Sequence, residues 1–354
     1  MRIINVILFT IAVFLIGCYT VHLETFSDDP ILRLKQKYSV HLDTTWTTKQ
    51  ASPLLKIFES FSTDLNFHPS IWKISGDLEE DIKIEFQNSL KSVTINSDVF
   101  PVEGSEQRFS LEKRLFYAAV QFITENGTNT EAIKLVIKER YGISVDIPSY
   151  DVLTQRVTQE TAEHYSEFEN EDLMIFISIL EEFPKALHKI PELRYVVRRI
   201  DDKIRAPGLA WTSEGYIELS QTLFTRDFPD DTRRLIAHEK SHFLWTYLFS
   251  DQLKQDWAKL GGWQKDLKSE SGWSTTKNRE EFVTDYAYQN NPNEDLAESI
   301  GFYLVYPDKL RSCSSAKYDF IHNRIMLMYG ERYISTDMMQ DTSFSGISDH
   351  LLRY

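Results

Sequence analysis

The 354-residue chain is 42% hydrophobic and 26% charged, an ordinary globular balance that can fill a sizeable core and suits about two domains. Its formal charge of −14 at pH 7 argues against nucleic acid as a partner and supplies no basic patch for a membrane surface. The only cysteines are Cys18 and Cys313, which excludes a disulfide framework and a cysteine-based zinc site.

The chain opens Met1-Arg2, followed by an apolar run from Ile3 to Gly17. That run has the length of a signal-peptide core and is short of the roughly 20 residues a spanning helix needs. Leu15-Ile16-Gly17-Cys18 resembles the bacterial lipobox, in which cleavage precedes a cysteine that is then lipidated. Residues 1–17 are therefore expected to be a signal peptide, Cys18 a lipidation site, and 18–30 a polar tether. An uncleaved anchor running on through Val21 is the competing reading. Both place the protein outside the cytoplasm on a membrane, either the cell membrane or the outer membrane.

Two segments then repeat an order of elements. Leu34 to Val40 parallels Ile137 to Ile143, and an amphipathic helix from Leu54 to Phe67 parallels one from Met174 to Lys189. The alternating strand Val93–Ser97 parallels Tyr216–Ser220, which is read as a strand entered through Gly215 from a Pro207–Thr212 loop. Finally Arg114-Leu115-Phe116-Tyr117-Ala118-Ala119-Val120-Gln121-Phe122 parallels Arg234-Leu235-Ile236-Ala237-His238-Glu239-Lys240-Ser241-His242. The predicted fold class is α+β. A smaller lobe over 31–130 precedes a larger one over 131–354, and the repeated order is either a degenerate copy or a chance recurrence common in α+β proteins.

The second helix of that last pair carries His238-Glu239-Lys240-Ser241-His242, the pattern H-E-x-x-H. Residues i and i+4 share a helical face, so both imidazoles can reach one metal ion. Glu239 then stands beside a water on that ion and can act as its base. Zinc brings the pKa of such a water to roughly 7. Asp230 and Asp231 after Pro229 supply an acidic first turn, and Leu235, Ile236, Phe243 and Leu244 give the helix a core face. Two histidines and a glutamate packed there need partners, and one Zn²⁺ per chain would satisfy them.

A third ligand is required. Asn291-Pro292 marks a turn, Asn293 is read as a helix cap, and Glu294 and Glu298 share the next helical face. One carboxylate can bind metal while the other accepts from an imidazole. Trp245, Trp257, Trp263 and Trp273 read as packing residues, His322 as structural, and His164 and His188 as polar-face histidines without a role.

Taken with Phe282-Val283-Thr284-Asp285-Tyr286-Ala287 and Asn291-Pro292-Asn293-Glu294-Asp295-Leu296-Ala297-Glu298, the H-E-x-x-H helix resembles the gluzincin peptidases of the anthrax-lethal-factor-like type, which include the Pro-Pro endopeptidases. The matching motifs lie within 205–310. The resemblance implies a zincin-like fold with Tyr216–Ser220 as the edge strand that pairs with extended substrate, Glu294 as third ligand, Glu298 behind a histidine, and a nearby tyrosine as oxyanion donor. The family's tyrosine position holds Ala287 here, so Tyr286 and Tyr288 both remain candidates, with Tyr286 preferred from its context. The expected function is a membrane-tethered zinc endopeptidase acting on peptide or protein substrates. The alternative is an inactive zincin-like surface-binding or scaffolding lipoprotein.

Overall fold

The structure is a computed structural model that describes residues 27–61, 65, 67–87, 90–100, 108–147, 165–200, 206–224 and 229–329. The expected signal peptide, Cys18 and His164 lie outside the described residues. No helix among the described residues is long and apolar enough to cross a membrane.

The fold is α+β. In the first half, α1 (Pro30–Tyr38) leads into β1 (Val40–Leu42), then α2 (Thr48–Glu59), β2 (Ser70–Ser75), the outer strand β3 (Ile82–Gln87), β4 (Leu90–Asn96) and α3 (Arg108–Ile123). The sheet order is β1-β2-β4-β3. β1 and β2 run parallel, β2 and β4 run parallel, and β3 runs antiparallel to β4.

The second half begins with α4 (Thr130–Tyr141), so the expected lobe boundary falls at the head of this helix. β5 (Tyr165–Ser166), α5 (Asn170–Leu180), β6 (Tyr195–Arg199), β7 (Gly208–Trp211), β8 (Tyr216–Ser220) and α6 (Pro229–Phe243) follow. The sheet order is β5-β6-β8-β7, with β6 and β8 parallel and β7 antiparallel to β8. Ser144, just after α4, bridges Tyr195 in parallel, as β1 meets β2 in the first half. Each half thus runs helix, parallel contact, helix, strand, antiparallel outer strand, central strand, helix. The α1 and α4 ends match as well: each closes on a buried tyrosine, Tyr38 or Tyr141, and a left-handed cap, Ser39 or Gly142.

Four expectations are corrected. Tyr216–Ser220 is a central strand, buried at every position. The outer strand is Gly208–Trp211, which had been read as a loop. The helix expected from Leu54 begins at Thr48, where Thr47 and Gln50 form a capping box, and it stops at Glu59. The helix expected to reach Lys189 stops at Leu180, because Pro184 disfavours helical geometry in the residue before it.

One hydrophobic core runs through both halves. The Tyr117 hydroxyl on α3 donates to the Ser178 carbonyl on α5 at 3.2 Å. Arg140 on α4 makes a paired contact to Glu181, at 2.6 and 3.1 Å, and Tyr141 donates to the same carboxylate at 2.9 Å. After α6 the chain continues through α7 (Asp251–Leu260), the β9–β10 hairpin (Trp263–Lys265, Trp273–Thr275), α8 (Asp285–Gln289), α9 (Pro292–Val305), α10 (Pro307–Cys313) and α11 (Ser315–Ile321). α9 folds back against α6. The contact is close because Gly301 has no side chain: a Cβ there would lie 2.9 Å from the Arg234 carbonyl oxygen.

Candidate metal centre

His238, Glu239 and His242 sit on the last turns of α6, all buried. Immediately after His242 the helix widens into a π-turn over Leu244–Leu248, a feature that recurs at functional sites. Tyr247 in that turn donates to the Thr212 carbonyl at 2.7 Å, tying the helix to the end of β7.

α9 supplies the facing side. Its cap is Asn291, whose side chain accepts from the Asn293 and Glu294 amides at 2.9 and 3.1 Å. Asn293 had been expected to cap. With Pro292 at the first helical position, the cap lies two residues earlier than expected and Asn293 is freed to face His242, its Oδ1 lying 3.2 Å from Nδ1. On the other imidazole, Nδ1 of His238 lies 3.0 Å from Glu298 Oε1. Glu298 is held in turn by Arg234 Nη1 at 3.0 Å and by the Thr284 hydroxyl at 2.9 Å. Each ring therefore has an oxygen close to Nδ1, although the His238–Glu298 pair lacks hydrogen-bond geometry, and the two Nε2 atoms face each other.

Those two atoms are 3.1 Å apart. Glu294 Oε2 lies 3.3 Å from one and 3.4 Å from the other. That oxygen is buried and finds no donor with hydrogen-bond geometry among the described residues, which in a native protein calls for an explanation. A tetrahedral zinc ion with bonds of about 2.0–2.1 Å holds its ligand atoms roughly 3.3–3.4 Å apart. The donor set and its spacing fit such an ion. Ligand atoms of His238, Glu239 and His242 also come within 4.8 Å of one another, the one such cluster found among the described residues. We separate Glu239 from the ligand set because Glu294 Oε2 is the oxygen placed against both Nε2 atoms.

The electrostatics agree with a site built for a cation. Burial opposes charge on His238, yet Glu294, Glu298 and Glu239 outweigh it and push the imidazole up to about 10. Burial likewise opposes charge on Glu294, but the two imidazoles hold its carboxyl well below the usual carboxylate range. Glu239 is the exception. Burial raises its pKa, and the two histidines only partly offset this, leaving it more basic than an ordinary glutamate.

Of the two tyrosines, Tyr286 reaches the site. Its ring centroid is 6.2 Å from that of His238. Burial and the surrounding Glu294, Glu239 and Glu298 raise its pKa, so it stays protonated and remains a donor. Tyr288 turns away and packs on Phe282 at 5.4 Å.

The supports of the site include residues that sequence reasoning passed over. Lys240, fully buried on α6, donates to the His188 carbonyl at 2.9 Å. His188 itself is buried, with Nε2 2.8 Å from the Phe183 carbonyl, and is not on a polar face. Asp295, next to Glu294, is buried between Lys317 and Trp263. No signal in the sequence exposes these partners, since each is distant along the chain. His322 is structural as expected, sharing its Nδ1 with the Tyr303 hydroxyl at 2.8 Å.

The sequence matches no described protein family, and no curated protein is significantly similar to it. A solved structure from Bacteroides caccae, described as a candidate zinc-binding metallo-peptidase, is similar over 56% of this chain and 81% of its own length. The identity is 15% and the TM-score 0.28, a likeness too slight to bear on fold or activity.

Proposed function

We propose that this chain is a zinc-dependent endopeptidase. One observation carries the reading: three donor atoms on two helices, His238 Nε2, His242 Nε2 and Glu294 Oε2, converge at 3.1–3.4 Å with Glu239 buried beside them. Those three residues would hold one Zn²⁺. When bound, the ion supplies a Lewis acid that makes hydroxide available near neutral pH and polarises a carbonyl group.

The rest of the chemistry belongs to side chains. Glu239, made more basic by burial, accepts the proton of the attacking water and later returns it to the leaving amine. Tyr286, held protonated, donates to the carbonyl oxygen as charge develops there. Glu298 and Asn293 fix the imidazoles through Nδ1. Gly208–Trp211, the outer strand beside the site helix, is where an extended peptide would add as a further strand. The first half carries Ala118, Ala119 and Phe122 at the matching helix positions and is proposed to be its metal-free counterpart. The shared strand order and shared helix caps support that assignment. Export and a lipid on Cys18 are likewise proposed, on the lipobox-like run alone. Loss of membrane association in Cys18→Ala would check it.

Zinc stoichiometry and cleavage of a peptide library test the central reading. Wild type should hold one zinc per chain and hydrolyse, Glu239→Gln should keep zinc and lose hydrolysis, and Glu294→Gln should lose zinc. A Glu239→Gln enzyme as active as wild type would sink the mechanism. If Glu294→Gln retains zinc while Glu298→Gln loses it, the third ligand is Glu298. A protein that binds its metal but cleaves nothing would favour the surface-binding reading.

A further inference from the structure

Gly208, the first residue of β7, is buried directly against Glu239. A Cβ built there would lie 2.6 Å from Glu239 Oε1, 2.9 Å from Cγ and 3.0 Å from Cδ. All three of its nearest neighbours belong to that one side chain. The backbone at Gly208 is not in the left-handed region, so the requirement for glycine there is steric, not conformational. The carboxylate it borders is buried.

The first half offers an internal comparison. Gly208 begins its outer strand and pairs with Leu219, the residue before the last of β8. Ile82 begins its outer strand and pairs with Ile95, the residue before the last of β4. On the helix that follows each sheet, Glu239 matches Ala119. The half with a large side chain on the helix has none on the strand, and the half with a small one on the helix has isoleucine on the strand.

We infer that Gly208 is a positioning residue: the missing side chain at the head of the outer strand leaves the space in which the Glu239 carboxylate is seated toward the three donor atoms. The role given to Glu239 rests on the peptidase reading above. The steric coupling does not.

The test is a double-mutant cycle in the full chain with Gly208→Ala and Glu239→Ala, read by melting midpoint, zinc content, kcat and KM. Gly208→Ala should fold, because the methyl meets the end of a flexible side chain, and should keep one zinc. Displacing a reacting group by about 1 Å costs on the order of 100-fold, so kcat should fall by about that factor while KM changes little. Gly208→Ala should lower the midpoint when Glu239 is present and leave it unchanged in the Glu239→Ala background. Equal midpoint losses in both backgrounds, or a Gly208→Ala enzyme with wild-type kcat, would overturn the inference. So would a Gly208→Ala protein that fails to fold even in the Glu239→Ala background. If wild type proves to lack zinc and hydrolysis, the peptidase reading falls, and the midpoint coupling still decides whether Gly208 seats Glu239.

Discussion

Replacing Lys317 with methionine should destabilise the protein in a strongly pH-dependent way. Lys317 on α11 donates to Asp295 Oδ1 at 2.7 Å, with side-chain exposures of only 3% and 0%. Trp263 Nε1 donates to the other carboxylate oxygen at 3.1 Å, and the ammonium sits 3.5 Å from the Phe282 ring centroid. Burial pushes the Asp295 carboxyl up and the Lys317 ammonium down, each against the attraction of the other. Methionine keeps most of the lysine stem and removes the charge. An unpaired buried carboxylate costs about 3–5 kcal/mol. The alternative is to fold with Asp295 protonated, at about 1.36 kcal/mol for each pH unit above an unfolded pKa of about 3.9. That gives about 4 kcal/mol at pH 7 and about 1.5 kcal/mol at pH 5. The sign follows from a raised folded pKa: the penalty is absent below the unfolded value and grows as pH rises towards the folded one. Urea denaturation of wild type and Lys317→Met at the two pH values measures it. Adding Asp295→Asn, which keeps the shape and removes the charge, should recover most of the loss. An equal deficit at both pH values, or no recovery in the double variant, would refute the argument.

Tyr286→Phe should lower turnover by roughly 10²–10³ with zinc retained, whereas Tyr288→Phe should leave turnover near wild type; equal losses for both would remove Tyr286 from the mechanism. In protein stripped of metal by a chelator, His238 titrates near 10 against an unfolded value of about 6.5. Its stabilising contribution is then complete below about 6.5 and lost as pH rises through about 10. Thermal melts of the stripped protein should therefore fall across that window, while zinc affinity, which requires the neutral ring, should rise. Gly301→Ala should cost about 1–3 kcal/mol by forcing α6 and α9 apart, and should weaken zinc binding along with stability. A variant with unchanged melting and zinc affinity would show that the close approach at Arg234 does not govern the site.

What could be read in advance follows from spacing. His238 and His242, like Glu294 and Glu298, share a face because four residues make roughly one helical turn, and the structure turns the two faces towards each other. The matching order of elements in the halves was legible for the same reason: it depends only on local periodicity. Sheet position was not. Tyr216–Ser220 was expected at an edge from the family resemblance, and its alternating Glu218 and Ser220 gave no sign of a central place. In fact Arg199 and Tyr165 cover the Glu218 carboxylate and bury it. Tyr286 and Tyr288 lie two residues apart on one short helix, so they face different ways, and only the position of α8 decides which one meets the metal centre. Asp295 and Lys317, or Lys240 and the His188 carbonyl, are pairs formed by folding between distant segments, and each alone resembles an ordinary surface charge.

Strand pairing in this chain never crosses between halves among the described residues: the first sheet is complete within 40–96 and the second within 165–220. That has a kinetic meaning. The entropic cost of closing a loop grows with its length, and each sheet closes only loops internal to its own segment. During synthesis the first sheet can form before the helix with His238 exists. The Tyr117–Ser178 and Arg140–Glu181 contacts then wait to receive the second half on a surface already made. The metal centre, which needs α6, α8 and α9 together, is assembled last. A chain interrupted between Ser220 and Glu294 would therefore contain the strands of both four-stranded sheets and lack the third donor of the site.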